Sequence, residues 1–339
     1  MKPYLDIIQN DKSLSEDEMF SAMTSIMNGE VSEADLKDFL VSLAARPVNV
    51  DEIVGAAKAL REKSIKIKAP YEAVDCCGTG GDAKGTYNVS TAVALVAASC
   101  GVPMAKHGNR ASSSKSGAAD VLEVMGVNLD INVEAVEEAI QTLHFAFLMA
   151  PKYHTAMKHV AAVRKEIGSR TIFNLLGPLI SPASARFQLL GVYERALIKP
   201  MAEALSRLGS KGAWIVHGSD GLDEITITGP TYAAILDKEG KIEEKTLTPE
   251  HFGLPTCDLS KLIGGEADDN AMALRAVLEG QKCAYRHIVL ANTAAVLCIH
   301  GSAEDLKSGV AIAENAIDSG MAYQTLKDYI AFSREAIAA

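Results

Sequence analysis

The run Gly78-Thr79-Gly80-Gly81-Asp82, followed by Thr86-Tyr87-Asn88-Val89-Ser90-Thr91, constrains this chain more than any other stretch. An apolar approach from Val74 to Cys77 precedes it, and a small apolar segment from Ala92 to Ser99, closed by Gly101, follows. The order is strand, glycine turn, polar cap, helix. Glycines permit positive φ, so successive backbone amides can point into one concavity. The free amides and positive dipole end of the next helix then favour an anion, most naturally a phosphate. Asp82 beside such a site suits ribose hydroxyls or a hydrated cation accompanying phosphates. The run is not a Walker A loop, because no Gly-Lys-Ser/Thr follows. It is not the dinucleotide fingerprint either, because Ala83 stands where a third glycine belongs.

Charge narrows the partners. The chain of 339 residues carries a net charge of −10 and has no basic terminal tail, which disfavours bulk binding to nucleic acid or to an anionic membrane. An anionic small substrate therefore needs a local basic pocket. Cys76, Cys77, Cys100, Cys257, Cys283 and Cys298 form no C-x-x-C pair, and most lie in apolar runs, as buried thiols do. No secretory leader pattern and no membrane-length apolar run is read, so a reduced, cytoplasmic protein is expected. The histidines show no zinc-ligand spacing.

Residues 1 to about 66 read as helices only. Ser15 with Glu18, Ser32 with Asp35 and Asn49 with Glu52 mark three helix starts. Near residue 70 the pattern changes to β–α alternation. Val102 to Ala105 reads as a short strand leading into a loop, Lys106-His107-Gly108-Asn109-Arg110, then Ser112-Ser113-Ser114-Lys115-Ser116-Gly117 and a helix from Ala118. Lys106, Arg110 and Lys115 supply the positive charge that the chain as a whole lacks. Open α/β sheets place ligands at such strand ends. Tyr153 to Ile167 reads as one helix whose His154, His159, Arg164 and Lys165 make a basic face, with Arg164 offering a bidentate fork for a carboxylate. Asp223 and Glu224, shortly after a strand at 213–216, are candidate Mg²⁺ ligands, since Mg²⁺ prefers one or two carboxylates plus substrate phosphates and water.

These motifs, in this order and across nearly the whole chain, closely resemble the anthranilate phosphoribosyltransferase family. The most specific parts are Gly78–Asp82, Asn88–Thr91, Lys106–Arg110 with Gly117 to Glu123, Arg164 to Leu179, and Asp223-Glu224. The resemblance implies an α/β protein: a small all-helical domain over 1–70 with a segment near 152–180, and a larger domain over 71–151 and 181–339. The larger domain would hold a central mixed, mainly parallel sheet flanked by helices. It implies a homodimer through the helical domains, and transfer of a phosphoribosyl group from 5-phosphoribosyl 1-diphosphate to anthranilate.

By match to the family pattern, Gly78, Gly81, Asp82, Thr86, Asn88, Val89, Ser90, Thr91, Lys106, Ser112, Ser113, Ser114 and Ala118 would hold the phosphoribosyl diphosphate. Gly78, Asn109 and Arg164 would contact anthranilate, and Ser90, Asp223 and Glu224 would hold Mg²⁺. Lys106, His107 and Arg164 would be the catalytic set, with His107 a candidate proton acceptor. Ala118 departs from the family, which often has serine there; Ser116 and backbone amides remain for the phosphate. No nucleophile–base pair emerges, so direct displacement is expected. Two alternatives are a pyrimidine nucleoside phosphorylase, whose usual lysine-histidine-serine start is missing from the first loop, and a non-catalytic nucleic-acid-binding relative, which the acidic charge disfavours. Association with anthranilate synthase, or its amidotransferase, is left open by the sequence.

Overall fold

The computed structural model describes residues 1–111 and 115–336. Four helices open the chain: α1 (Lys2–Gln9), α2 (Glu16–Met27), α3 (Glu33–Ala44) and α4 (Val50–Lys63). Their starts follow the sequence signals. Ser15 and Glu18 close a reciprocal capping box, as do Asn49 and Glu52, while Ser32 accepts from the N–H of Asp35. Each such cap satisfies backbone donors that the helix itself leaves open.

The rest is built on one seven-stranded sheet in the order β3-β2-β1-β4-β5-β6-β7. Its strands are β1 (Val74–Gly78), β2 (Met104–Gly108), β3 (Phe145–Met149), β4 (Phe187–Gly191), β5 (Gly212–Gly218), β6 (Thr231–Leu236) and β7 (Ile242–Leu247). The first five run parallel, and the hairpin β6–β7 closes one edge antiparallel. Between them come α5 (Val89–Ser99), α6 (Ala118–Val124), α7 (Val133–Leu143), α8 (Ala150–Tyr153), α9 (Lys158–Ile167), α10 (Phe173–Leu176) and α11 (Ile198–Arg207). The C-terminal helices are α12 (Ala267–Leu278), α13 (Ala284–His300), α14 (Leu306–Asp318) and α15 (Met321–Glu335). Among the described residues no helix is long and apolar enough to cross a membrane.

Two apolar cores result. One is built by α5, α6, α7 and α12–α15 with β1–β3; the other joins the N-terminal helices to α9, α10, α11 and one face of β4–β6. Helix α9 packs on α2 and α3, and α4 packs on α10 and α11. Arg61 fastens the second junction: buried near the end of α4, it donates to the carbonyls of Leu179 (2.6 Å) and Leu208 (3.1 Å). Its guanidinium is pushed down to about 10 by burial.

Three local expectations change. The segment 153–167 is not one helix: the backbone leaves α8 at His154, passes through a 3₁₀ turn over Thr155–Met157 and restarts as α9. Strand β2 runs through Gly108, so Lys106 and His107 are buried strand residues rather than loop residues. The sequence from Glu266 on reads as mostly helical with a helix over Ala273 to Leu278, and α12 begins earlier, at Ala267.

Candidate active site

The first loop is shaped by an acid from far along the chain. Gly78 ends β1, and a Cβ there would fall 2.2 Å from Asp223 Oδ2. Its register partner on β4 is Gly191, where a Cβ would fall 1.6 Å from the Asp223 carbonyl oxygen. Two glycines side by side thus open the space through which the segment after β5 passes. Asp223 then accepts the N–H of Gly80 at 2.8 Å. Gly80 and Gly81 have φ of +67° and +77°, the region glycine tolerates, which turns the loop back on itself. Thr79 Oγ1 accepts the N–H of Tyr193 (3.0 Å), and Arg170 donates to the Gly81 carbonyl while lying over the Tyr193 ring at 4.1 Å.

Three acids converge here. Asp82 and Asp223 share a side-chain hydrogen bond, and burial followed by the Asp82 charge pushes Asp223 up to about 6. Asp82 is raised as well, chiefly by burial. Glu224 is raised further, by burial and then by Asp223, although the N–H of Ser90 bonds to its carboxylate. Burial first, and neighbouring acids second for Asp223 and Glu224, drive these carboxyls toward the neutral form, which a cation among them would reverse. Among the described residues no three His, Cys, Asp or Glu side chains converge as a metal cage. The Ser90 N–H brings Glu224 to the start of α5, and Asp223 and Glu224 offer carboxylate oxygens of the kind Mg²⁺ takes together with phosphate oxygens and water.

The polar residues before α5 do different work from that expected. Asn88 makes no side-chain cap. Its Oδ1 accepts from Asn270 of α12 (2.9 Å), its Nδ2 donates to the Ser116 carbonyl (3.3 Å), and its own carbonyl accepts from Tyr285 of α13 (3.0 Å). Asn88 therefore joins the first loop to the second. At the start of α5 the Val89 N–H donates to the Tyr87 carbonyl (2.8 Å) and the Ser90 N–H to Glu224, and the buried Thr91 Oγ1 has no partner among the described residues. Thr86 pairs by an isolated bridge with Ile263.

On the other side, β2 delivers Lys106 and His107, both buried. Burial works against the Lys106 charge, but Cys76, Asp75, Cys77 and Glu224 together raise its ammonium above the ordinary value. His107 is pushed down to about 3 by burial and then by His154 and Lys106, which leaves it neutral. Its ring meets that of His154 edge to face at 5.2 Å, and the Nε2 atoms of both lack partners among the described residues. Asn109 is exposed; its Oδ1 accepts the N–H of Arg110, and its amide nitrogen has no partner among the described residues. Arg110 is not an open anion site: its guanidinium is held by Glu123 (2.7 and 3.0 Å) and Asp120 (3.2 Å). Asp120 also accepts the N–H groups of Ala111 and Gly117, so it ties the second loop to the start of α6 at Ala118. Ser112, Ser113 and Ser114 lie outside the described residues.

Arg164 differs. It is half-buried on α9, lies over Phe173 at 5.2 Å, and has no ion-pair or hydrogen-bond partner among the described residues. Burial lowers its guanidinium. An arginine held in this way, in an acidic protein, lacks an anion.

Sequence reading passed over Asp75, Gly191 and Arg170, and took His154 only as part of a basic helix face. Asp75 was visible as an acid inside an apolar strand. Gly191 was indistinguishable from any strand-end glycine, because its meaning depends on Asp223.

Comparison with known proteins agrees with this arrangement. Residues 2–64 match the helical bundle domain of a glycosyl transferase family, and residues 70–323 match its a/b domain. An anthranilate phosphoribosyltransferase from Rhodospirillum rubrum is 51% identical over 98% of this chain and 95% of its own length. One from Azospirillum brasilense is 50% identical over 99% and 94%. The crystal structure of the Thermus thermophilus enzyme of that name superposes with a TM-score of 0.91 at 42% identity, covering 98% of this chain and 99% of that one. The Saccharomyces cerevisiae enzyme, described in complex with PRPP and Mg, gives 0.90 at 31% identity over 98% and 97%. With half its residues shared over almost its full length, the chain belongs to the anthranilate phosphoribosyltransferase family.

Proposed function

We propose that the acidic and basic sides of this cleft share one reaction: transfer of the 5-phosphoribosyl group from 5-phosphoribosyl 1-diphosphate to the amine of anthranilate. The products are N-(5-phosphoribosyl)anthranilate and diphosphate, in L-tryptophan biosynthesis. The observation that carries the assignment of sides is the contrast between three crowded acids and the unpartnered Arg164.

Gly78, Gly81, Asp82, Thr86, Asn88, Val89, Ser90 and Thr91 would cradle the phosphoribosyl diphosphate, with Lys106 and the backbone at Ala118. Ser112, Ser113 and Ser114 complete that set by family pattern. Ser90, Asp223 and Glu224 would hold Mg²⁺, which when bound neutralises charge on the diphosphate. Arg164 would take the anthranilate carboxylate in a bidentate pair, and the Asn109 amide and the Gly78 backbone would orient the ring. The amine of anthranilate is neutral near pH 7, so positioning matters more than a strong base. The bond from C1 to the diphosphate oxygen weakens first, C1 gains oxocarbenium character, and the nitrogen lone pair closes the new bond. Lys106 stabilises negative charge as it gathers on the leaving group. The nitrogen then loses a proton to the departing diphosphate or to water. His107, at about 3, is too weak a base to take that proton; it serves better as a neutral orienting ring.

The 1–70 helices with the 152–180 segment would form the dimerising domain, and 71–151 with 181–339 the substrate domain, in a cytoplasmic homodimer. Val41, 47% exposed on α3, is an apolar residue suited to such a contact.

The test follows anthranilate fluorescence with both substrates and Mg²⁺. Mg²⁺-dependent loss of emission is expected, abolished in Arg164→Ala and in Asp223→Asn. A folded wild type that leaves the emission unchanged overturns the reading.

A further inference from the structure

Asp75 is the only charged residue on β1, and the reaction scheme above does not use it. It is 0% exposed. Burying a carboxylate is unfavourable unless it is bonded and balanced. Both conditions are met by β2. Strand β1 pairs with β4 at five register positions, and β2 pairs with β3 at five. Between β1 and β2 only Val74 and Met104 are in register. The two strands therefore part just after that pair, in the middle of the sheet and directly below the site. Across the gap, Asp75 Oδ1 accepts the N–H of His107 at 3.1 Å, where a parallel ladder would have used a backbone carbonyl.

The same peptide is held from its other end. Lys106 Nζ donates to the His107 carbonyl at 3.3 Å, its only hydrogen bond among the described residues. Lys106 is 2% exposed and needs a counter-charge. The groups that face it are Asp75, Cys76 and Cys77 from β1, Glu224 from the segment after β5, and its neighbour His107. Burial holds both thiols in the protonated form. His107 is neutral. Asp75 is the carboxylate of this set that also bonds the Lys106–His107 peptide, and near pH 7 it is ionised.

We infer that Asp75 is a positioning residue for Lys106: it wedges β1 from β2, fixes the Lys106–His107 peptide and supplies the buried negative charge that holds the ammonium ready for the diphosphate. The inference rests on Lys106 meeting the diphosphate as assigned above. Asp75→Asn keeps an oxygen for the His107 N–H and removes the charge. Asp75→Ser, with a hydroxyl for the same N–H, repeats the test if the amide is not accommodated.

The experiment compares wild type, Asp75→Asn, Lys106→Met and the double variant by steady-state kinetics on both substrates, with thermal melting as the check on folding. Asp75→Asn is expected to melt near the wild type. Its kcat/KM for phosphoribosyl diphosphate should fall about 100-fold, the scale of a misplaced catalytic group, while the KM for anthranilate stays put. The double variant should be no worse than Lys106→Met alone, because both changes remove one function. A purely structural Asp75 would instead lower the active fraction without separating the two substrates. The inference is overturned if Asp75→Asn turns over like the wild type while Lys106→Met does not, or if the two losses multiply. A fully active Lys106→Met would overturn the Lys106 assignment, and this inference with it. An inactive wild type would overturn the reaction itself.

Discussion

The acidic side of the cleft and the basic side are finished to different degrees. On the acidic side, Asp82, Asp223 and Glu224 are crowded without a cation, and the strain shows in carboxyls raised toward neutrality. On the basic side, Lys106 is balanced internally, Arg110 is held by Glu123 and Asp120, and Arg164 has no ion-pair partner among the described residues. The acidic side is thus built for a ligand that arrives with charge to share, and the basic side offers one open fork. A metal–diphosphate and a separate carboxylate satisfy the two at once.

The largest effect should come from the glycines that admit the acidic side. In Gly191→Ala the new Cβ meets Asp223 backbone at 1.6 Å, and no side-chain rotation relieves it. A melting temperature lower by roughly 5 °C or more is expected, with loss of activity. In Gly78→Ala the clash is with the Asp223 carboxylate at 2.2 Å, which can swing away. That variant should fold, yet need about tenfold more Mg²⁺ for half-maximal rate, since roughly 1.4 kcal/mol of misplacement is tenfold in binding. Equal behaviour of the two in melting would break the distinction between backbone passage and ligand placement.

Next is the open fork. Arg164→Lys keeps the charge and loses the bidentate geometry, so the KM for anthranilate should rise roughly 10- to 100-fold with little change in the KM for phosphoribosyl diphosphate. An equal rise for both substrates would move Arg164 from the carboxylate to a general electrostatic role.

Much of this was legible in the sequence, and the parts that were not share a cause. Ser15–Glu18 and Asn49–Glu52 were readable because capping is local. The glycine loop and the Asp223-Glu224 pair were each visible, but the contact between Gly80 and Asp223 spans 143 positions. Lys106 and His107 read as loop because two ionisable residues seldom end a buried strand; Asp75 is what makes that tolerable, and it hid within an apolar run. The break at His154 carries no glycine or proline. It is imposed by packing: His154 turns in against His107.

A smaller, graded effect concerns pH. Asp75 and Asp223 are both raised from 3.8 to about 6. A carboxyl raised by folding binds its proton more tightly in the native state, so its contribution to stability is full below about 4 and is lost as pH rises through about 6. The buried, neutral His107 works in the opposite direction on acidification, so the carboxyl contribution is read as a difference: in chelator the wild type should gain a few °C in melting temperature relative to Asp223→Asn between about pH 7.5 and about pH 5. Mg²⁺ should offset the deficit at the higher pH and do little at the lower, because it competes with protons for Asp223. A wild type that gains nothing relative to Asp223→Asn over this window would show that the acidic side is not under strain.

The smallest effect belongs to Arg110, and it is the sharpest check on the basic side. Arg110 lies in the same loop as Asn109 and has the charge and reach to bind a phosphate, so sequence alone gives it the same standing as Arg164. The structure separates them by their partners: Arg110 is exposed and held by two carboxylates of its own helix-loop unit, whereas Arg164 is half-buried over Phe173. Surface ion pairs contribute little, so Arg110→Ala should change the melting temperature by no more than about 2 °C. The KM for either substrate should change by less than about threefold, because Asp120 still holds the Ala111 and Gly117 amides that shape the loop. A tenfold rise in the KM for phosphoribosyl diphosphate would mean that Arg110 leaves Glu123 when substrate arrives. The basic side would then be opened by its ligand rather than built open, and the contrast between the two sides would be one of timing instead of construction.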